Sequence, residues 1–510
     1  MRISTSQIFR QGISSITSQQ TQLAQTQLQL ASGKRLLSPA DDPAGSTEAL
    51  RLTERIAVTR QHQENLDFAR TRLNQEEGSV ARAVEVLQRL RELAISANDS
   101  ALVRSDREAI AAEVRRRGQE LLDVANTRDP SGEYLFSGFQ GRTQPFTQDA
   151  AGNTSYAGDQ GQRVVQIGAD HSVVVADSGF DAFVGVRSGN GTFAVSPGAS
   201  NDGTGIIDPG TVVDATLYDR DTYTVTMAVD SAVTGGALGI TDSGSNDTLS
   251  YELRINGVLI DTVSEGGSRT LAALEASIDA QSGATGVQAH VDGGRLFLSN
   301  TSAGSGLTIT ETLVGASEDT DTVTGFFGGN LTGLTTPSVS TDLDGAANAF
   351  VVTDSGNNIE TSGSFAAGAS ISFAGIATSV TGAPNQGDAF TVTPSVNQSV
   401  FTTVKNLADD LSLGGVELGN AINRALEDLD RGLENFNSLR AEIGARLNVL
   451  DTQEEANADV TLELQTALSN VEDLDFAEAA ARLSQQLVAL ESAQLAFVRV
   501  QSLSLFNFLR

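Results

Sequence analysis

The two ends of the chain carry apolar side chains at alternating spacings of four and three residues. Near the N-terminus the positions of this repeat are Phe9, Ile13, Ile16, Gln20, Leu23, Gln27 and Leu30. Near the C-terminus they are Ala480, Leu483, Leu487, Leu490, Gln494, Phe497 and Gln501. A seven-residue repeat predicts long helices that pair along one apolar seam. The glutamines in the repeat are predicted to lie on the seam, where buried amides can fix the register of the partners.

Helix boundaries can be predicted from capping residues. The first helix is expected to end at Ser32-Gly33, and Asp42 is expected to cap a second helix whose first position is Pro43. That helix is predicted to reach about Asn98, and a third to span about 105–127. A further heptad pattern over 422–450 predicts a long helix before the last one. Such helices exceed the usual globular length.

Between the helical ends the apolar pattern changes to a period of two residues, which predicts strands. The predicted strands are Val164–Ile167, Tyr223–Ala228, Leu249–Ile255, Arg295–Leu298 and Phe390–Val392. Asn256-Gly257 and Gly293-Gly294 suit two-residue hairpin turns, so 251–300 is predicted to form a hairpin, a short helix and a second hairpin.

Charge and glycine divide the chain into the same parts. Residues 170–400 hold 26 acidic and 5 basic residues and 33 of the 50 glycines, whereas residues 1–128 hold 16 acidic and 18 basic residues. Similar ends around a different centre indicate one domain interrupted by an insertion. We therefore predict an α+β fold: a long α-helical coiled-coil core built from both chain ends, with a large inserted β-rich outer domain. The predicted domains are a terminal coiled coil (1–40 plus 475–510), a helical core with a β-hairpin (41–170 plus 400–474) and the insertion (171–399).

Composition excludes several classes of function. A net charge of −31 argues against a nucleic-acid partner, because nucleic-acid binding needs a cationic surface. No apolar run approaches the ~20 residues of a membrane span, so no membrane is expected. The chain has no cysteine, only three histidines and no hydrolase or nucleotide-binding motif, so we expect no enzyme activity, no catalytic residues, no cofactor and no metal. The acidic runs 317–321 and 342–345 lack the spacing of a calcium loop and are predicted to be solvated turns.

A family resemblance rests on motifs at both ends of the chain. These motifs are MRISTSQIF, QLASGKRLLSPADDPAGSTEAL and GEYLFSGFQGRTQPF, then IGARLNVLD and LSNVEDLDFAEAAARLSQQLVALESAQLAFVRVQSLSLFNFLR. They resemble the flagellin superfamily of bacterial flagella and, within it, the hook-associated protein 3 family of hook–filament junction proteins. The resemblance covers about 1–165 and 370–510, whereas the central insertion is longer than the family implies.

The resemblance implies a structural protein of the flagellum that functions in motility and flagellum assembly. It implies self-association in a junction ring, with hook-associated protein 1 on one side and flagellin on the other. It further implies a cytoplasmic export chaperone before secretion, and an extracellular location reached through the flagellar type III system. The N-terminus lacks the apolar core of a secretory signal, and this export route implies no cleaved signal peptide.

The subunit-interaction residues are then expected among the seam positions. These are Ile13, Ile16, Leu23, Leu30, Leu483, Leu487, Leu490 and Phe497. The apolar C-terminus is expected to serve the chaperone or assembly, through Leu503, Leu505, Phe506, Phe508 and Leu509. Periodicity alone also allows an ordinary intramolecular helix bundle. The alternative functions are flagellin itself, or an adhesin or enzyme displayed through the central insertion.

Overall fold

The computed structural model describes residues 5–99, 101–234, 239–241, 248–301, 306–316, 322–327, 330–332, 338–343 and 345–506. The helices are α1 (Thr5–Ser32), α2 (Pro43–Ala97), α3 (Arg104–Ala125), α4 (Leu271–Ala280), α5 (Ser282–Thr285), α6 (Val400–Asp410), α7 (Gly415–Glu472) and α8 (Phe476–Phe506), and a π-helical turn spans Phe180–Val184. The predicted boundaries of the first three helices are confirmed to within two residues.

Strands occupy the middle of the chain and pair antiparallel throughout the described part. Those before the long β9 are β1 (Phe146–Gln148), β2 (Thr154–Tyr156), β3 (Val164–Gln166), β4 (Ser172–Val174), β5 (Val186–Arg187), β6 (Phe193–Pro197), β7 (Ile206–Ile207) and β8 (Thr211–Val212). The next are β9 (Tyr223–Thr234), β10 (Gly239–Thr241), β11 (Ser250–Ile255), β12 (Val258–Ser264), β13 (Val287–Asp292), β14 (Arg295–Asn300), β15 (Thr308–Val314) and β16 (Thr322–Thr324). The last are β17 (Asn330–Thr332), β18 (Ser338–Asp342), β19 (Ala349–Thr353), β20 (Ile359–Ser364), β21 (Ser370–Phe373), β22 (Ile376–Thr381), β23 (Ala389–Pro394) and β24 (Asn397–Gln398).

The chain folds into two compact units. The first contains Met1–Asn74, Val164–Val175 and Gly444–Arg510, and the second contains Gln75–Arg163 and Ala176–Ile443. Both ends of the chain therefore build the first unit, and the β-rich region belongs almost entirely to the second. The coiled-coil core with a β-rich insertion is confirmed as the fold class, whereas the three predicted domain boundaries stay a prediction.

In the first unit, helices from opposite ends of the chain pack against each other. Leu52 and Ile56 of α2 are buried in one apolar cluster with Leu464 of α7. Arg70 of α2 pairs with Asp451 and Glu454 of α7 at 2.7 and 2.6 Å. Apolar contacts thus join two segments that are far apart in the sequence.

In the second unit, β9 is the centre of the largest sheet. The strand order is β13-β14-β9-β19-β20, and β23 pairs with both β9 and β6. One core lies among β6, β9, β22 and β23, around the buried side chains of Phe193, Tyr223 and Phe390. A second core lies among β11 to β15 and α4, around Tyr251, Leu274 and further apolar residues between Val233 and Leu331.

The predicted hairpin–helix–hairpin is confirmed within this second core. Asn256 and Gly257 have φ angles of 48° and 80°, and Gly293 and Gly294 have φ angles of 55° and 76°. Positive φ at both central residues defines the turn type that matches the twist of a two-stranded hairpin. The acidic run 317–321 lies outside the described residues, as does Asp344 of the second run.

Candidate subunit interface on the terminal helices

The connection between α1 and α2 is hydrogen-bonded to the connection between α7 and α8. Gly33 ends α1 at a φ of 71°, a left-handed conformation that glycine adopts without strain. The amide of Arg35 donates to the carbonyl of Glu472 at 2.7 Å, and the amide of Leu474 donates to the carbonyl of Gly33 at 3.0 Å. These two bonds fix where α1 ends and α8 begins.

Charged groups reinforce the contact between these two connections, which we call the corner. The Lys34 ammonium lies 2.7 Å from the Glu472 carboxylate, and this hydrogen bond raises the pKa of Lys34. The guanidinium of Arg35 donates to the carbonyl of Val471 at 2.7 Å. Exposed ion pairs contribute little stability, so the backbone bonds are the main determinant of this geometry.

Aspartates cap both helices that leave the corner. Asp42 accepts a bond from the amide of Gly45 at 2.9 Å, and Pro43 takes the first position of α2, as predicted. Asp475 accepts the amides of Ala477 and Glu478 in the first turn of α8.

From this corner α1 and α8 run antiparallel and in contact. The rings of Phe9 and Phe497 lie 4.8 Å apart. A Cβ added to Gly12 would lie 2.9 Å from Phe497, and one added to Gly33 would lie 3.6 Å from Phe476. Both glycine contacts fit a single antiparallel register of α1 and α8. In this register each glycine at α1 leaves room for a phenylalanine ring of α8.

This register defines a seven-residue repeat on each helix, which we call the seam. Each of its positions is buried or half-buried. They are Gly12, Ile16, Gln19, Leu23, Thr26 and Leu30 on α1, and Ala479, Leu483, Gln486, Leu490, Ala493 and Phe497 on α8. Small residues face large ones in this register, as Gly12 faces Phe497 and Ala493 faces Ile16.

The predicted seam glutamines are wrong by one position. Gln20, Gln27 and Gln494 are exposed, and the amides on the seam belong to Gln19 and Gln486. Gln501 lies outside the residues whose side chains are described. Within the described part of the chain, the side-chain oxygens of Gln19 and Gln486 are buried without a hydrogen-bond partner. Each amide faces a leucine of the other helix in this register, which explains the missing partner.

Six of the eight residues proposed for subunit interaction lie on the seam. They are Ile16, Leu23, Leu30, Leu483, Leu490 and Phe497. Ile13 and Leu487 lie beside it, and each side chain is 47% exposed. The proposed C-terminal group lies outside the residues whose side chains are described: Leu503, Leu505, Phe506, Phe508 and Leu509.

A second apolar row on α8 was missed by the sequence analysis. Val488 and Leu495 are 63% and 62% exposed, and their positions lie on the side of α8 opposite to the seam. Val498, at 60% exposure, extends this outward row. A helix with apolar residues on two sides is typical of one that is surrounded by protein. The signal was present in the sequence, as valine and leucine seven residues apart outside the assumed heptad positions.

Other kinds of site find no support among the described residues. In that part of the chain no three metal-ligating side chains lie close enough together to hold an ion. None of the described helices is long and apolar enough to cross a membrane.

The comparisons with known proteins concern both ends of the chain. The profile of the bacterial flagellin N-terminal helical region matches residues 3–141, and that of the bacterial flagellin C-terminal helical region matches residues 426–509. Both helical ends of the chain are thus similar to those of the bacterial flagellins. The two matched regions contain α1, α2, α3, α8 and most of α7, so the seam and the corner both lie within them.

The chain is also similar to hook-associated proteins. It is 26% identical to flagellar hook-associated protein 3 of Escherichia coli over 51% of this chain and 79% of that protein. It is 28% identical to flagellar hook-associated protein 3 of Salmonella typhimurium over 37% of this chain and 58% of that protein. The crystal structure of the flagellar junction protein FlgL from Legionella pneumophila aligns with a TM-score of 0.54 at 25% identity, over 84% of this chain and 100% of that chain. These relatives are structural components of the bacterial flagellum.

Proposed function

We propose that this chain is a non-enzymatic structural subunit that joins the flagellar hook to the filament. Copies of the chain form a ring at the distal end of the hook. One face of the ring binds hook-associated protein 1 and the other binds flagellin. The similarity to hook-associated protein 3 supports this role, and the outward apolar row on α8 is the structural observation that carries it.

The mechanism follows from the two apolar sides of α8. One side packs on α1 along the seam, and the other side, at Val488 and Leu495, is exposed in the single chain. Packing against neighbouring subunits would remove these side chains from water, and full burial of a valine or leucine contributes about 1.5–3 kcal/mol. Assembly would therefore order the terminal helices, because part of their apolar surface is exposed beforehand.

The same exposed apolar residues would require a chaperone before assembly. Exposed apolar rows promote aggregation, so an export chaperone would cover α8 and the apolar C-terminal residues in the cytoplasm. The chain would then pass through the flagellar type III export system in an extended state. A chain without cysteine suits this route, because no disulfide can form across the extended polypeptide.

A null strain tests the proposal. Its hooks should be of normal length and lack filaments, while flagellin accumulates in the medium. A plasmid that encodes the chain should restore filaments, and the same plasmid with Leu495→Asp should not. Full-length filaments on the null strain would contradict the proposal. A uniform shortening of all filaments would instead favour a flagellin, which the 30% identity to a B-type flagellin of Pseudomonas aeruginosa over 22% of this chain makes the second candidate.

A further inference from the structure

A group of exposed arginines lies on the second unit. Arg82 of α2 and Arg128 line an open concavity of about 570 Å³. Arg128 and Arg142 line an adjoining concavity of about 430 Å³. We call Arg82, Arg128 and Arg142 the arginine patch. All three residues are exposed to solvent.

The charges of the arginine patch are not neutralised within the described part of the chain, where none of its three guanidiniums lies within 4 Å of a carboxylate. Arg82 bonds the Gly78 carbonyl at 3.2 Å, and Arg128 lies 4.3 Å over the ring of Tyr134. The two neighbouring carboxylates are engaged elsewhere, since Glu133 pairs with Arg163 and Asp129 accepts amides of its own turn.

Unpaired arginines in a group are unexpected in such an acidic chain. The sequence contains 64 acidic and 33 basic residues. Elsewhere in the second unit, Arg91 pairs with Asp430 at 2.6 Å and Arg440 with Glu77 at 2.7 Å. Asp129 lines the first concavity and Glu133 lines the second. Because both carboxylates are bonded to other groups, the three guanidiniums are available to the carboxylates of a partner.

The shape of the surface allows a partner to approach. A Cβ added to Gly78, beside Arg82, would meet no atom within 4 Å. The same holds for Gly132, in the turn between Arg128 and Arg142. The backbone is thus open to contact on both sides of Arg128.

The chain itself also carries an exposed row of carboxylates. Glu455, Asp459 and Glu463 are exposed on α7 and are four residues apart, so their carboxylates share one face over about 12 Å. Among the described residues none of the three has a basic partner within 4 Å. We call them the acidic row.

We propose that the arginine patch of one copy binds the acidic row of a second copy. This inference rests on the ring in the proposed function. A ring of identical subunits joined head to tail requires two different, complementary surfaces on each copy, and this chain presents one cationic and one anionic surface. Charge-assisted hydrogen bonds between guanidinium and carboxylate would fix the angle at which neighbours meet.

Cysteine cross-linking tests the contact directly, because the chain has no cysteine of its own. A full-length variant with Arg142→Cys and Asp459→Cys is expressed in the null strain, and isolated hook–filament preparations are treated with a short bifunctional thiol reagent. We expect a ladder of cross-linked oligomers. The control variant pairs Asp459→Cys with Arg116→Cys, an exposed arginine on α3, and should give no ladder. Equal ladders, or none from the test pair, would overturn the inference.

Charge reversal provides a second measurement. Arg82→Glu with Arg142→Glu should reduce at least tenfold the fraction of hooks that carry the protein, and Arg116→Glu should leave it unchanged. Adding Asp459→Arg and Glu463→Arg to the first variant should restore it. Melting curves establish that each variant is folded. Normal attachment of the Arg82→Glu, Arg142→Glu variant would overturn this inference alone, whereas absence of the unmodified chain from the junction would contradict the proposed function.

Discussion

Leu487 lies between the seam and the outward row of α8, and its side chain is 47% exposed in the single chain. Leu487→Asp should therefore change the free energy of unfolding by no more than about 0.5 kcal/mol, as at other exposed positions. Leu66→Ala is the control, because Leu66 is fully buried and its truncation should cost about 2–5 kcal/mol. Thermal unfolding of the two purified variants checks this difference.

The same Leu487→Asp change should prevent assembly, because a carboxylate placed among apolar neighbours without a partner costs several kcal/mol. Attachment of filaments in the complemented null strain is the readout. A large fall in the melting temperature of the Leu487→Asp protein would mean that the residue is already buried in the single chain.

Tyr156 makes the stability of the second unit depend on alkaline pH. Its hydroxyl lies 2.7 Å from the carbonyl oxygen of Asp159, and desolvation by partial burial raises the pKa of Tyr156 to about 12. An unfolded tyrosine has a pKa of about 10. Because the folded pKa is the higher one, the protonated phenol stabilises the fold below pH 10, and this contribution is lost between about pH 10 and 12. Tyr156→Phe should flatten the decline of unfolding free energy over that range. Identical slopes for both proteins would contradict this.

At the scale of the element, the seam shows what sequence periodicity can and cannot establish. Ile16, Leu23 and Leu30 belong to the predicted repeat and to the observed one, so the existence of the seam was predictable. Its exact position was not, because the two repeats differ by one residue at Gly12, Gln19 and Thr26. The observed repeat places Gly12 against Phe497. This contact joins two distant segments, so the pattern of either segment alone does not predict it.

The hairpins, unlike the exact position of the seam, were predictable because their turns depend on adjacent residues alone. Asn256-Gly257 and Gly293-Gly294 specify their turns locally, through residues that tolerate positive φ. The arginine patch could not be predicted, since it joins Arg82 of α2 to residues that follow α3. Local signals therefore gave the turns, helix ends and strands, whereas surfaces formed by distant segments required the structure.

The seam amides lead to a prediction for α1 and α8 together. The side-chain oxygens of Gln19 and Gln486 are buried without hydrogen bonds in the described structure, and replacing such groups by apolar ones is neutral or stabilising. Gln19→Leu with Gln486→Leu should slow amide exchange of both helices in the monomer. Gln20→Leu with Gln494→Leu is the matched control, because these amides are exposed. Faster exchange in the first variant would show that the amides have partners in solution.

At the scale of the whole molecule, the second β core can be separated from the rest of its unit. The chain enters this core from β9 and leaves it into β19, and these strands pair directly, with Ala228 opposite Ala349. Asn348 accepts the amide of Asp230 at 2.7 Å close to this junction. An Asn-Gly turn in place of residues 232–345 should therefore close β9 and β19 into a hairpin.

We expect this shortened protein to fold, to melt at a lower temperature and still to join hook and filament. The melting temperature should fall because the deletion removes Phe297, which packs on Ala228, Ala349 and Val351. Circular dichroism and filament attachment in the null strain are the measurements. A shortened protein that is exported and folded but attaches no filament would show that the insertion is part of the joint.

The position of the protein on intact flagella tests the central claim most directly. The second β core contains no residue of the terminal helices. Antibodies against this core would be applied to isolated hook–filament complexes and located by gold labelling in the electron microscope. The account predicts a single band at the distal end of the hook, where the filament begins. Gold particles along the whole filament, or at its tip, would contradict it.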